Sequence, residues 1–288
     1  MTETTIYGRE EFRSVDIGAQ MRHGHPDILE GDEYIVGLVE RHRQRLGRRL
    51  RVVDLGCGSG SLARLLADRI PDIDVIANEV EPSLVALAER RFTGSRVELF
   101  DRPFTELDRT IDVLISWGSH HHISGDYVDH VKRLLAPDGV LILGDEFCPE
   151  YCDAGDAARI AASEIMQVEG GYVFTTAAER DAFRREGLVP ESCISMERRR
   201  QRALWTWYKH VIDYAFERND TLVVLTELQI TLDDLTTSFA GEHKLSPLIV
   251  ERDLELRGFE QRSKIAIGSQ RPELQSFFVY EYVVRNDR

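Results

Sequence analysis

The stretch VVDLGCGSGS, residues 52–61, ends a short apolar run and opens a helical pattern. Glycines at 56, 58 and 60 permit a tight turn and let a ligand lie against bare backbone. A dinucleotide fingerprint asks for G-x-G-x-x-G, whereas position 61 is Ser and the spacing here is G-x-G-x-G. Asp54, two residues before the first glycine, belongs to a different pattern. A strand-to-helix turn of this composition can also exist without any ligand, so its meaning depends on the surrounding chain.

The surroundings alternate. Residues 28–46 carry apolar positions at helical spacing, 50–56 read as a buried strand, and 61–70 as a helix. A strand over 74–79, a helix beginning at Pro82, and strands at 96–100 and 111–116 follow. A helix over 127–135 and a strand over 139–147 complete the run. Strands and helices at this spacing predict βαβ units, hence a doubly wound, Rossmann-like, mostly parallel sheet. Residues 150–240 read as helical, and the α/β rhythm returns with a helix at 246–259 and strands at 263–269 and 276–284. The expected organisation is an N-terminal segment 1–27, a core 28–147, a helical cap 148–244 inserted after the fifth strand, and a core completion 245–288. A cap placed there overhangs the strand ends where open α/β sheets bind ligands.

The net charge of −14 disfavours nucleic acid as a partner, since that binding rests on neutralising phosphates. Basic runs at 41–49 and 196–202 interrupt the acidic balance, and the first reads as a solvated helix face. No apolar run approaches the roughly 18 residues of a membrane span. The opening MTETTIYGREEF lacks the basic-then-apolar layout of a signal peptide. Four cysteines show no disulfide framework. The expectation is a cytoplasmic protein working on a small molecule, with a homodimer as its expected assembly.

DLGCGSG resembles motif I of the class I S-adenosylmethionine-dependent methyltransferases. The acid Glu79 at the end of the second strand, the following VEPSLVALAERR, Asp101 after the third strand, and LLAPDGVLILGDEF (134–147) also resemble that family. The resemblance covers about residues 28–147 and 245–285. It implies S-adenosylmethionine as cofactor. Asp54, Gly56, Cys57, Gly58 and Gly60 would border the methionine half, and Glu79 would take the ribose hydroxyls, since a carboxylate accepts two hydrogen bonds. Asp101 would accept from the adenine amino group with Phe100 or Arg102 against the ring, and Val80 and Trp117 would also line the site. Asn78 and Glu81 make the end of the second strand more polar than is usual in the family, and Asp138-Gly139 stands where Gly-Gly is commoner.

SWGSHHHIS, residues 116–124, follows the fourth strand and adjoins the same crevice. Three readings compete for its histidines. They fill a loop; or His121 or His122 is a general base, since imidazole titrates near neutral pH; or His120 and His122 bind a divalent metal. The metal reading assumes an extended loop, in which alternate residues point the same way, and a third ligand such as His210, Glu146 or Glu164. In the cap, Trp205, Tyr208 and Arg199 are the candidate acceptor contacts, Arg199 as a clamp for a substrate carboxylate. The function expected is C- or O-methylation of a small acidic metabolite, with an α-keto acid as the finer expectation. A noncatalytic cofactor-binding regulator is the alternative, and a nicotinamide oxidoreductase is weaker because of the glycine spacing.

Overall fold

The computed structural model describes residues 22, 26–123, 127–147, 247–268 and 277–285, together with 212–213, 215–221, 224–225 and 228. The chain divides into two compact units, one of residues 1–146, 258–268 and 277–288 and one of residues 147–257 and 269–276.

The first unit is built on a seven-stranded sheet. Helix α1 (Pro26–Leu46) leads into β1 (Leu50–Leu55), α2 (Ser61–Arg69), β2 (Ile73–Asn78), α3 (Pro82–Phe92) and β3 (Glu98–Phe100). Then come β4 (Ile111–Trp117), α4 (Tyr127–Leu134), β5 (Leu135–Glu146), β6 (Phe259–Ala266) and β7 (Phe277–Val284). Helix α5 (Pro247–Leu256) precedes β6 and falls in the second unit, whereas the sequence pattern grouped it with the core. The insertion expected at 148–244, with its four helices, lies largely outside the described residues.

The strand order is β3-β2-β1-β4-β5-β7-β6, with β7 antiparallel to both neighbours and the other pairings parallel. The reason is visible in burial. Every residue of β4 except Trp117 is buried, and β1 and β2 are buried at all but one position each. Strands covered on both faces need continuous apolar runs, and LRVVDL, IDVIAN and IDVLISW supply them. Ile35 and Val39 of α1, and Leu62 and Leu66 of α2, bury against this layer. Chain order reverses between β1 and β4, which opens a crevice at their carboxyl ends.

Two boundaries depart from expectation. Strand β5 begins four residues early, at Leu135, because Leu135 pairs with Ile111 before an irregularity between Ile111 and Val113 shifts the register. Strand β6 begins at Phe259 rather than at 263, since its ladder with β7 runs from Phe259 opposite Val284. It is an edge strand, where exposed Glu260, Gln261 and Arg262 cost no burial, so its polar first half hid the ladder in the sequence. The basic run 41–49 behaves as a solvated face: Arg43 pairs with Glu40, Arg48 with Asp112 at 2.6 Å and Arg49 with Asp74 at 2.6 Å. The second run, 196–202, lies outside the described residues. Among the described residues no helix is long and apolar enough to cross a membrane.

Candidate cofactor and acceptor site

The glycine loop leaves β1 through three left-handed residues, Gly56 (φ 66°), Gly58 (φ 57°) and Gly60 (φ 81°). Two of these are also close approaches. A Cβ on Gly56 would stand 2.6 Å from the Ser119 Cβ, and one on Gly60 would run into the Phe92 ring. Gly58 differs, because a Cβ there meets nothing within 4 Å. The bare backbone at Gly58 therefore faces open space at the crevice. Gly58→Ala is accordingly expected to cost only the left-handed strain, about 1–2 kcal/mol in chemical denaturation. The same methyl should weaken S-adenosylhomocysteine binding by an order of magnitude or more in calorimetry, because it occupies the ligand's side of the loop.

Two carboxylates flank this loop. Glu79 is nearly buried, and its Oε2 accepts the Gly58 N–H at 2.9 Å while Oε1 accepts those of Val80 at 2.8 Å and Glu81 at 2.9 Å. Burial raises its pKa, and the backbone donors oppose that rise. A carboxylate has about four acceptor positions, so three N–H donors leave room for a ribose hydroxyl. Asp54 is 2% exposed, and burial pushes its carboxyl up to about 7, with the nearby Arg22 guanidinium pulling it down. Its Oδ2 is buried with no hydrogen-bond partner among the described residues. An orphaned acceptor of this kind is matched by a cationic donor, and the ammonium of a methionine head group is one. The residues present thus fit the cofactor that the sequence pattern implies.

The ends of β2 and β3 are tied together beside this loop. Asn78 is buried, and its Nδ2 donates to the carbonyls of Phe100 and Arg102 at 2.8 Å each, which locks the ends of β2 and β3 together. That explains the unusual polarity of the second strand end. Val80 is 56% exposed, an apolar surface directly after Glu79. The Arg102 guanidinium lies 4.7 Å from the centre of the Phe100 ring, and Asp101 between them is exposed. Cys57 donates its N–H to the Asn78 carbonyl at 2.9 Å, and burial lifts its thiol well above the ordinary range.

Trp117 sits differently from the other expected cofactor contacts. Its indole Nε1 donates to Asp32 Oδ1 at 2.9 Å, and its ring fills the space that side chains on Gly31 and Gly144 would need. Asp32 also pairs with Arg22, so Arg22 and the Trp117 indole at the end of β4 meet on one carboxylate of α1.

The histidine stretch is a 3-10 turn, His120–His122, and not an extended loop. This corrects the geometry on which the metal reading stood: with three residues per turn, His120 and His122 leave on different sides. His120 is buried, with Nδ1 2.7 Å from the Tyr127 hydroxyl, an anchor to α4. His121 places Nδ1 2.8 Å from Asp145 Oδ1, and its backbone N–H donates to Asp145 Oδ2 at 3.2 Å. His122 is exposed, and its ring lies against His121, centres 3.9 Å apart and planes tilted by 41°. Among the described residues no group of three metal-ligating side chains converges. His210 and Glu164, named as further ligands, lie outside the described residues, as do Arg199, Trp205 and Tyr208.

The turn is fastened to the glycine loop. Ser119 Oγ donates to the Leu55 carbonyl at 2.7 Å and sits 2.8 Å from Ser116 Oγ. Asp145, Ser119 and Asp32 are site residues that sequence reasoning passed over. Asp145 stood inside the quoted GDEF; an acid ending a central strand was the available signal.

The fold is that of a Rossmann-like domain with one antiparallel strand in its sheet. Residues 52–139 match the family described as a methyltransferase domain. The chain is 36% identical over 152 residues to malonyl-[acyl-carrier protein] O-methyltransferase of Acetivibrio thermocellus, covering 42% of this chain and 54% of that protein. It is 33% identical over 96 residues to trans-aconitate 2-methyltransferase of Methylobacterium nodulans, covering 32% of this chain and 36% of that one. The chain thus matches about half or less of the length of these curated relatives. Among solved structures, mitomycin 7-O-methyltransferase shares the fold, with a TM-score of 0.50 at 16% identity over 96% of this chain and 60% of that one.

Proposed function

We propose that the chain is an S-adenosylmethionine-dependent methyltransferase whose acceptor is a small molecule carrying a carboxylate. The observation that carries this is the orphaned, buried Asp54 oxygen beside the open Gly58 backbone, with Glu79 across the loop. The cofactor supplies an electrophilic methyl on a sulfonium. The chain's residues then have distinct tasks. Asp54 holds the ammonium of the donor's head group and Glu79 its ribose, which fixes the donor at the carboxyl ends of β1 and β2. His121, tethered next to Gly56 through Ser119, takes the proton that the acceptor atom gives up as it bonds to the methyl carbon.

An acidic acceptor is supported by the names of two relatives, a malonyl thioester O-methyltransferase and a trans-aconitate methyltransferase, each of which acts on a carboxylic acid. Arg199 is the proposed clamp for that carboxylate, because its fork of donors matches two oxygens. The α-keto acid expectation is one member of this class. The test is release of S-adenosylhomocysteine in the presence of a panel of dicarboxylic and α-keto acids and their amides. Turnover with an acid and none with its amide supports the reading. Cofactor binding with no turnover across the panel favours the noncatalytic regulator instead.

A further inference from the structure

The proposed methyltransferase reading gives the proton to His121, and the environment of each ring sets it apart from its two neighbours. His120 is buried with Nδ1 engaged by Tyr127. His122 is exposed, its ring tilted against that of His121. His121 faces a buried acid, with Nδ1 2.8 Å from Oδ1 of Asp145, whose side chain is 1% exposed.

Asp145 is the last residue but one of β5, and the register explains its reach. Ser116 pairs with Leu143 and Trp117 with Gly144, so Asp145 stands one step beyond the last β4 residue, beneath the 3-10 turn. Its oxygens are all engaged as acceptors: Oδ1 takes the Glu146 N–H at 2.8 Å and faces His121 Nδ1 at 2.8 Å, and Oδ2 takes the His121 N–H at 3.2 Å. Burial alone would raise its pKa, but His121 first, then the nearby His120 and the Glu146 N–H, hold the carboxyl below its ordinary value. An ionised carboxylate only accepts, so the proton between the two groups sits on Nδ1. Neutral His121 then carries its lone pair on Nε2.

We propose that Asp145 is a positioning residue acting through His121: it fixes the Nδ1-protonated tautomer and the ring orientation, which makes Nε2 of His121 the proton acceptor of the methyl transfer. This rests on the methyltransferase reading for its purpose. The step balances, with the acceptor's proton moving to Nε2 as the new carbon–acceptor bond forms and the carbon–sulfur pair goes to sulfur. The same carboxylate steadies the imidazolium that results. His120 then holds the turn, and His122 packs on the base.

The test uses the full chain labelled with ¹⁵N-histidine. The His121 signals are assigned by their loss in His121→Gln, and its tautomer is read by NMR above neutral pH. The expected result is a protonated Nδ1 and an unprotonated Nε2 in the wild type, and a shift toward the Nε2-protonated form in Asp145→Asn. Protonated Nε2 in the wild type, or an unchanged tautomer in Asp145→Asn, overturns the proposal. Should Asp145→Asn fail to fold, the wild-type tautomer decides alone. Calorimetry with S-adenosylhomocysteine separates the two readings. Binding by the wild type, retained within about threefold in Asp145→Asn, supports a role in proton handling rather than in the cofactor site. Absence of binding by the wild type overturns the methyltransferase reading, and is distinguishable because the tautomer is measured without cofactor.

Discussion

Glu79→Ala is expected to weaken S-adenosylhomocysteine binding by about a hundredfold or more in titration calorimetry, with the chain still folded. The magnitude follows from what the carboxylate does twice over. It holds the N–H groups of Gly58, Val80 and Glu81, which sets the shape of the glycine loop. It also offers its remaining acceptor capacity to the ribose. Each buried hydrogen-bonding group left without a partner costs about 1–3 kcal/mol, and two such losses already reach that factor. Glu79→Gln should fall between, because it keeps the shape but replaces one acceptor by a donor. Unchanged affinity in Glu79→Ala would remove the carboxylate from the cofactor site.

Asp54→Asn should have opposite effects on stability and on binding. The folded carboxyl titrates near 7 against an ordinary value of 3.8, so between those values the folded chain holds a proton that the unfolded chain has released. Stability attributable to Asp54 therefore falls as pH rises from about 4 through about 7 and stays low above. Denaturation of the ligand-free chain should show Asp54→Asn gaining on the wild type between pH 5 and pH 8, by an amount on the order of a few kcal/mol. Cofactor binding runs the other way. The ammonium of S-adenosylhomocysteine needs the ionised carboxylate, so wild-type affinity should rise as pH climbs through about 7. Asp54→Asn should bind weakly and lose that pH dependence. A variant both less stable and equally tight-binding would contradict the assignment.

The parts of this molecule legible in its sequence are those governed by short-range pattern. VVDLG, its glycines and the helix after it read correctly because a buried parallel strand and a strand-to-helix turn each leave a local imprint. Helix α3 was placed at 82–92 from its proline, as found. The histidine turn was not legible. Its curvature comes from Ser119 reaching Leu55, a contact across the sheet from a residue 64 positions earlier, and nothing in SHHHI specifies it. The role of Asp145 is equally remote, since it depends on the β4–β5 register that brings residue 145 under residue 121. Glu79 was identified as an acid in the right place, yet its grip on three backbone N–H groups is a property of the folded loop.

The measurement closest to the central claim is titration of the wild-type chain with S-adenosylhomocysteine at pH 8, with NADH as the comparison ligand. The account predicts saturable binding at one site per chain, weakened at pH 6 as Asp54 takes up its proton, and no competition from NADH. Absence of S-adenosylhomocysteine binding, or its displacement by NADH, would contradict it.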